Sequence, residues 1–213
     1  MEILSVNNVV FRSMIRYTSI NILPEEVTFI QGESGCGKST LLKLFNATLT
    51  PDRGEILYKG TNLEKLDTIT LRQEVMLVGQ SVFLFSGSIE DNFREFYRYR
   101  GRAILSREEI ERFLRLCCAD FSLDTACDTM SGGERQRVYL AIFLSFLPKV
   151  LLLDEPTSAL DGKTAKELMT NLTGYCKEQH MTLVVVSHDS SLAKEYAEHI
   201  IYMEKDVLAC REL

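Results

Sequence analysis

The sequence predicts an α/β fold built around a mainly parallel sheet, for three reasons. Short apolar runs at 75–78, 150–153 and 182–187 have the composition of strands that are covered on both faces. Helical stretches separate these runs, as in the βαβ units that produce parallel sheets. A further apolar run at 27–30 leads into a glycine-rich turn and then a helix. With 213 residues, the chain is long enough for one such domain and a small inserted subdomain.

The N-terminal part of the chain predicts antiparallel strands. Residues 2–11 and 20–30 have strand composition, and a turn interrupts the second strand before it reaches the glycine-rich segment. A helix is predicted over 38–48, where turn-forming residues end it. Residues 55–58 then form a strand that enters a hairpin at 59–60. We therefore expect an N-terminal antiparallel β subdomain beside the parallel sheet.

Residues 83–130 differ in character, because they are polar, aromatic and rich in arginine. A capping box at 106–109 opens an amphipathic helix. The apolar face of this helix consists of Ile110, Phe113, Leu114 and Cys117. We interpret residues 1–213 as a single domain, with a core of about 1–82 and 131–213 and an inserted helical subdomain of about 83–130.

The rest of the chain continues the alternation of helices and strands. A helix is predicted to begin at Ser131, and two more are predicted over 161–179 and 190–197. The last two strands, at 199–203 and 207–210, are expected to form a closing hairpin.

Composition and charge exclude several classes of protein. A formal net charge of −6 argues against a surface that wraps nucleic acid, so no nucleic-acid partner is expected. The six cysteines form no C-x-x-C pair, which argues against a zinc ribbon or a disulfide framework. The sequence shows no apolar run long enough to span a bilayer and no secretory signal at its start. We therefore expect a cytoplasmic chain whose membrane role comes through a partner.

The glycine-rich segment has the G-x-x-x-x-G-K-[ST] pattern of a phosphate-binding loop, in the strand, turn and helix setting that the pattern requires. Its residues are Gly32, Glu33, Ser34, Gly35, Cys36, Gly37, Lys38, Ser39 and Thr40. The glycines allow successive N–H groups to point into one concavity, and the helix adds its positive dipole end. Lys38 is expected to reach the β- and γ-phosphates of a nucleotide, and the Ser39 hydroxyl to ligate Mg²⁺. A turn that binds nothing is the alternative, which the agreement of motif and context disfavours.

Two carboxylates follow the apolar strand at 150–153. Asp154 and Glu155 would lie at the C-terminal edge of the sheet, where open α/β sheets bind ligands. Asp154 is placed to hold Mg²⁺, directly or through water, and Glu155 to polarise a water that attacks the γ-phosphate. The same residues could form a solvated turn before Pro156, but the phosphate loop favours the functional interpretation. The sequence thus predicts a P-loop NTPase core.

The motifs occur in the order that is typical of one protein family. In chain order they are the phosphate loop, Gln80, Ser-Gly-Gly-Glu-Arg-Gln-Arg at 131–137, Leu-Leu-Leu-Asp-Glu-Pro-Thr at 151–157, Ser-Ala-Leu-Asp at 158–161 and Ser-His-Asp at 187–189. The chain resembles an ABC-type ATPase over essentially residues 1–205. The resemblance implies that it binds ATP and Mg²⁺ and hydrolyses ATP.

The resemblance also implies a role for the residues that open the helix at 131. These residues match the family signature that contacts the γ-phosphate of ATP held by the opposite subunit, and they are Ser131, Gly132, Gly133 and Glu134. A helix N-terminus suits an anion, while Ser131 and Glu134 could also form a capping box, and both can hold. Asp161 matches a residue at the dimer interface, or it caps a helix.

Two further residues take their roles from the resemblance. Gln80 matches the glutamine that approaches Mg²⁺ and the attacking water and that links the core to the helical subdomain. His188 matches the histidine that contacts the γ-phosphate. A polar residue or a histidine at the end of a strand is usually structural, so both assignments depend on the family context.

The contact to adenine departs from the family pattern. The family commonly stacks the base on an aromatic residue after the first strand, often a tyrosine, and this sequence has Ser13 at that position. Phe11 and Tyr17 are the candidates to replace it, although either is more often a core or edge residue. Cys36 lies at a variable position of the loop, and its amide is expected to contact phosphate.

The segment 94–115 carries seven arginines interleaved with aromatic residues. Such a segment can dock another protein, form a solvated helical face or bind nucleic acid, and we rank these interpretations in that order. Several acidic residues in the same region offset its charge.

The resemblance implies the ATPase subunit of a membrane transporter. ATP binding is expected to join two copies into a homodimer, with each phosphate loop facing the partner's signature. A separate polytopic membrane subunit would hold the chain on the inner face of the cell membrane. Finer similarity indicates small two-component exporters linked to iron resistance. The alternatives are a soluble ABC ATPase, such as one that drives iron–sulfur cluster assembly, and a non-catalytic nucleotide-gated module.

Overall fold

The computed structural model of the protein describes residues 2–204 as a mixed α/β structure, which confirms the predicted class. The strands are β1 (Leu4–Phe11), β2 (Ile15–Ile22), β3 (Val27–Gly32), β4 (Arg53–Tyr58), β5 (Thr61–Asn62), β6 (Val75–Val78), β7 (Val150–Asp154), β8 (Thr182–Val186) and β9 (His199–Met203). The helices are α1 (Lys38–Phe45), α2 (Thr68–Glu74), α3 (Ile89–Tyr99), α4 (Arg107–Leu116), α5 (Gly132–Ser145), α6 (Gly162–Glu178) and α7 (Ser190–Tyr196).

A parallel sheet divides the interior into two hydrophobic cores. Within the described residues its strand order is β6-β7-β8-β3-β9. Phe29 and Leu151 pack into a core shared with α3 to α7, whereas Ile30 and Leu152 face a core shared with α1 and the antiparallel sheet. Burial on both faces is the reason for the continuous apolar runs in the sequence. The carboxyl ends of β3, β7 and β8 therefore present their following loops at one edge.

The antiparallel sheet has the order β2-β1-β4-β5, and it confirms the predicted N-terminal β subdomain. The predicted strand at 20–30 is wrong at its start, because β2 begins at Ile15 and ends at Ile22. The hairpin register pairs Ile15 with Phe11, and β3 begins separately at Val27. Exposed polar side chains on the open edge of β2 hide its strand character in the sequence.

Two helices in the N-terminal half of the chain differ from the predictions. α1 ends at Phe45 rather than at 48, because Ala47 has a φ of 55° and closes the helix. The Thr48 N–H donates to the Lys43 carbonyl at 2.8 Å and the Ala47 N–H donates to Leu44, which is a Schellman ending. The short helix α2 has no counterpart among the predicted elements, and the side chain of Asp67 caps it.

Helices α3 and α4 lie within the predicted helical subdomain of 83–130. The capping box of Ser106 and Glu109 is confirmed at the start of α4. Tyr97 ties α3 to α5, since its hydroxyl donates to the Ser145 carbonyl at 3.1 Å. The subdomain boundary stays a prediction, because these helices share one core with the parallel sheet.

The first arm of the predicted closing hairpin is β9, which pairs in parallel with β3 at the edge of the sheet. The second arm, at 207–210, lies outside the described residues. No helix among residues 2–204 combines the length and the apolar character that crossing a bilayer requires.

Candidate functional site

The loop between β3 and α1 closes around the side chain of Lys38. The Lys38 ammonium donates hydrogen bonds to the carbonyl oxygens of Gly32 and Glu33, both at 2.8 Å, and the residue is 5% exposed. Gly37 precedes α1 with a φ of 101°, a conformation that glycine adopts without strain. The unpaired N–H groups of the first helical turn and the helix dipole make this end of α1 a site for an anion.

Strand β7 delivers Asp154 to the edge of the sheet beside this loop. The Ser39 hydroxyl donates to Oδ1 of Asp154 at 3.0 Å, and Asp154 is 5% exposed. Across residues 2–204, Asp154 makes no ion pair. A buried carboxylate and a neighbouring hydroxyl provide the oxygen ligands that hard cations prefer, and the negative charge of this carboxylate is not balanced by an ion pair within the described residues. These two residues therefore fit a Mg²⁺ ion.

Glu155 is the next residue, and it has a left-handed backbone conformation with a φ of 55°. Its Oε1 lies 3.1 Å from Nε2 of His188, which follows β8. The Glu155 side chain is 13% exposed and that of His188 is 54% exposed. The loops after two neighbouring parallel strands thus bring a carboxylate and an imidazole together.

An open pocket of about 320 Å³ gathers these groups around the phosphate loop. It is lined by Ile15, Ser34, Gly35, Gly37, Lys38, Ser39, Thr40, Gln80, Glu155, Val186 and His188. The sequence predicts all of these as site residues except Ile15 and Val186. It does not reveal Ile15 because its pattern predicts that β2 begins at residue 20, and it does not reveal Val186 because an apolar strand end carries no distinctive signal. Cys36 lies in the loop but is 5% exposed, which agrees with a role for its backbone rather than its sulfur.

The fold and the site together match a known family. A protein-family model described as ABC transporter matches residues 15–158, from the start of β2 to just beyond β7. The chain belongs to the ABC transporter family. It is a nucleotide-binding domain of the ABC type, which binds and hydrolyses ATP.

Curated ABC relatives match most of the chain. The sulfate/thiosulfate import ATP-binding protein CysA of Pseudomonas syringae pv. tomato is 35% identical over 196 residues, which cover 89% of this chain and 60% of that protein. The probable iron export ATP-binding protein FetA of Escherichia coli K12 is 36% identical over 164 residues, covering 77% of this chain and 73% of that protein. The chain thus spans about 60% of the length of the sulfate/thiosulfate ATPases that it matches.

Solved ABC structures share the fold over nearly the whole chain. A dimeric bacterial ABC transporter cassette has a TM-score of 0.83 at 27% identity, covering 95% of this chain and 94% of that chain. A bacterial Atm1-family ABC exporter with ATP bound has a TM-score of 0.85 at 27% identity, covering 95% of this chain and 37% of that chain.

The residues predicted to form the family signature open α5. Ser131 and Glu134 form the predicted capping box: the Ser131 N–H donates to the Glu134 carboxylate at 2.8 Å, and the Glu134 N–H donates to the Ser131 hydroxyl at 3.4 Å. Hydrogen bonds from the Ser131 N–H and the Ser131 hydroxyl to the Glu134 carboxylate hold the pKa of Glu134 below its ordinary value. The N–H groups of Gly132 and Gly133 lie in the first turn, where helices offer no internal acceptor. Within residues 2–204, none of these four residues lines the pocket around Lys38, so their contact with phosphate stays a prediction.

Asp161 caps α6, as the alternative interpretation expected. Its carboxylate accepts hydrogen bonds from the N–H groups of Lys163 at 3.0 Å and Thr164 at 3.1 Å. Hydrogen bonds from the Thr164 hydroxyl and N–H lower the pKa of Asp161. The loop before α6 packs on the start of α5, because a Cβ placed on Gly133 would lie 3.3 Å from the Ala159 carbonyl oxygen. The role of Asp161 at a dimer interface stays a prediction.

The structure argues against both aromatic candidates for stacking adenine. Phe11 is 8% exposed and Tyr17 is 3% exposed, so neither has a free ring face for a base. Tyr17 supports the phosphate loop instead, because its hydroxyl donates to the Gly37 carbonyl at 2.8 Å. Burial raises the pKa of Tyr17, which keeps the phenol protonated as a donor. Neither ring lines the pocket, whereas the apolar side chains of Ile15 and Val186 do.

Removing this support of the loop should weaken ATP binding. We expect Tyr17→Phe to remain folded, to lose about 1 kcal/mol of stability and to bind ATP about fivefold more weakly, because Gly37 loses the hydrogen bond that anchors it. Thermal melting and titration with a fluorescent ATP analogue measure both effects. Tyr99→Phe is the control, since the Tyr99 ring is 68% exposed. Equal ATP affinity of the two variants would contradict the role given to Tyr17.

The arginines of the segment 94–115 mostly have partners within the chain. Ion pairs join Arg94 to Asp91, Arg98 to Glu95, Arg107 to Glu90 and Asp124, and Arg115 to Glu111. The guanidinium groups of Arg100, Arg102 and Arg112 lie over aromatic rings of Phe146 and Tyr175. These contacts favour a solvated helical face over docking through the arginines, which is the interpretation that the sequence alone favours.

Proposed function

We propose that this chain is the ATP-hydrolysing subunit of an ABC transporter and that it works as a dimer of two copies. The proposal rests on a site in two parts, because the residues predicted to act on ATP and the predicted signature residues lie at separate places in one copy of the chain. Lys38, Glu155 and His188 line one pocket, whereas the predicted signature residues 131–134 lie outside it at the start of α5. A two-fold axis would bring the signature of a second copy to this pocket, and the similarity to a dimeric cassette supports that arrangement.

In the proposed reaction, water attacks the γ-phosphorus of ATP and the bond to the bridging oxygen of ADP breaks. Lys38 and the loop amides neutralise the phosphates. Ser39 and Asp154 would hold Mg²⁺, which supplies positive charge to the phosphate oxygens when it is bound. Glu155 orients the attacking water and accepts its proton, while His188 stands 3.1 Å from that carboxylate beside the γ-phosphate position. Gln80 lines the same pocket and would approach the water.

An exposed aromatic surface supports a protein partner close to this pocket. We define the aromatic surface as Phe83, Phe85, Phe96 and Tyr99, with ring centroids of Phe85 lying 4.9, 5.5 and 5.8 Å from those of the other three. Phe83 is 58% exposed and Tyr99 is 68% exposed. Clustered exposed aromatic rings are typical of protein interfaces. The surface begins three residues after Gln80. We assign it to a polytopic membrane subunit, which would hold the chain on the cytoplasmic face of the membrane.

Charges placed on this surface should release the chain from its partner. We expect Phe83→Asp combined with Tyr99→Asp to reduce the membrane-bound fraction of the tagged chain at least about tenfold, because two interface anchors are lost. ATP hydrolysis by the purified double variant should stay within about twofold of the parent, since neither ring lines the pocket. Membrane retention and co-purification of a polytopic chain from detergent extracts measure the effect.

The matched control is Tyr202→Asp, because Tyr202 is also 68% exposed but lies on β9. Membrane retention that is equal in the double variant and in this control would contradict the assignment of the surface. Co-purification of a soluble scaffold in place of a polytopic chain would support the soluble ABC ATPase instead.

The finer proposal is that the transporter exports metal, with iron as the candidate cargo. The similarity to the probable iron export ATP-binding protein supports it. Other relatives are named for import of sulfate or thiosulfate, phosphonates, and spermidine or putrescine. Deleting the gene in its own host and measuring cellular iron under iron stress tests the proposal. Raised iron is expected, and unchanged iron would contradict export.

A further inference from the structure

The backbone of Glu155 is held in a strained conformation by hydrogen bonds on both of its peptide groups. Its φ of 55° is uncommon for a residue with a side chain, and such a conformation persists only where the surroundings enforce it. The Glu155 N–H donates to the Val186 carbonyl at 3.0 Å, which ties it to the end of β8. Its carbonyl accepts from the N–H of Ser158 at 3.3 Å and from the Ser158 hydroxyl at 3.0 Å.

A third group reaches the same carbonyl from a different element. Nε2 of Gln136, on α5, donates to the Glu155 carbonyl oxygen at 3.3 Å. Gln136 is 8% exposed, so its side-chain amide has little access to water, and leaving it without a hydrogen bond would cost free energy. The Val186 and Ser158 contacts come from the sheet and from the loop that follows Glu155. Gln136 adds a link to the helix that begins with the signature residues.

We propose that Gln136 is a positioning residue for the carboxylate of Glu155. This inference rests on the proposed function, in which that carboxylate orients the attacking water. The bond to Val186 restrains the peptide group before Glu155, and the bonds from Gln136 and Ser158 restrain the one after it. Together they fix the direction of the Cα–Cβ bond, and so the approach of the carboxylate to the pocket. A small displacement of such a group is enough to slow a reaction strongly.

The position of Gln136 on α5 connects two parts of the proposed dimer. The first turn of α5 carries Gly132 and Gly133, and Gln136 follows one turn later. In the proposed dimer, that first turn contacts ATP held by the partner, while Gln136 contacts the Glu155 of its own copy. Contact between the first turn of α5 and the ATP of the partner is therefore linked, through the same helix, to the position of Glu155 in the copy that carries the helix.

The test compares Gln136→Met, which keeps the length of the side chain and removes the donor, with Ser145→Ala. Ser145 is a matched control because it is a buried polar residue of α5, 5% exposed, at the opposite end of the helix. We expect Gln136→Met to lower kcat about tenfold with the KM for MgATP within about twofold, because ground-state binding does not use the Glu155 carboxylate. Ser145→Ala should leave both constants within about twofold of the parent. Gln136→Asn, which is one methylene too short to reach the carbonyl, should repeat the kcat loss if the Met variant folds poorly.

A second measurement separates positioning from a structural role of α5. In a Glu155→Gln background, adding Gln136→Met should leave the ATP-driven dimer and the slow residual single turnover unchanged, because the group that Gln136 positions is already lost. A weaker dimer, an added loss of residual turnover, a raised KM or a kcat equal to that of Ser145→Ala would each overturn the inference. A parent chain that neither hydrolyses ATP nor dimerises would instead overturn the proposed function.

Discussion

Replacing Glu155 with glutamine is expected to lower ATP turnover about a thousandfold while ATP still binds. Glutamine keeps the size of the side chain and its contact distance to His188, but it cannot accept the proton of the attacking water. The pocket that holds the phosphates is built by other residues, so binding should stay within about twofold. Steady-state phosphate release and titration with a fluorescent ATP analogue measure the two quantities on the same preparation.

The control for this prediction is Glu25→Gln. The Glu25 carboxylate lies 2.8 Å from Nδ1 of His180, and neither residue lines the pocket. This pair is exposed, so its loss should change neither turnover nor ATP binding by more than about twofold. Turnover that survives in Glu155→Gln would remove Glu155 from the reaction. Loss of ATP binding would mean that the carboxylate serves the pocket rather than the water.

The largest effect on folding is expected at Gly32, where β3 enters the phosphate loop. A Cβ at this position would lie 2.1 Å from the carbonyl oxygen of Met203, in the neighbouring strand β9, and Gly32 has a φ of 149°. The clash is with backbone that pairs β9 to β3, so it cannot be relieved by turning a side chain. We expect Gly32→Ala to lose at least about 3 kcal/mol of stability, a large part of the total for a domain. Chemical unfolding measures this loss.

Gly35 offers a matched control for that substitution within the same loop. It has a φ of 80°, but a Cβ placed there meets no atom within 4 Å. Gly35→Ala should therefore cost only the backbone strain, about 1 kcal/mol, and the variant should stay folded. If the two alanine variants unfolded at the same denaturant concentration, the close approach of β9 to Gly32 would not be a constraint on the fold.

The sequence predicts those parts of the site that depend on short, local patterns. The phosphate loop is recognisable because a strand, three glycines and a helix are contiguous, and Asp154 and Glu155 because they end a buried strand. Family resemblance adds Gln80 and His188, which the fold then brings into the same pocket. Asp154, Glu155, Gln80 and His188 each lie at the end of a strand or within two residues of it, where local pattern and site geometry coincide.

Contacts between distant segments could not be predicted in this way. Tyr17 lies under the phosphate loop because of the register between β1 and β2, and the sequence pattern does not show where β2 begins. Gln136 reaches Glu155 across 19 positions of the chain, and its side chain carries no signal that names its partner. The left-handed φ of Glu155 is likewise invisible in the sequence, since glycine and asparagine are the residues that usually mark such a conformation.

The most direct test of the site in two parts is the molar mass of Glu155→Gln in solution, measured by light scattering with and without MgATP. We predict that the mass doubles with ATP, stays that of one chain with ADP, and falls back to that of one chain when Gly132→Glu is added. Gly132 is suited to this test because a Cβ there meets no atom within 4 Å, so the variant should fold and still bind ATP. A chain that stays monomeric with saturating MgATP, or a dimer that Gly132→Glu does not disturb, would contradict the claim that each pocket is completed by a second copy.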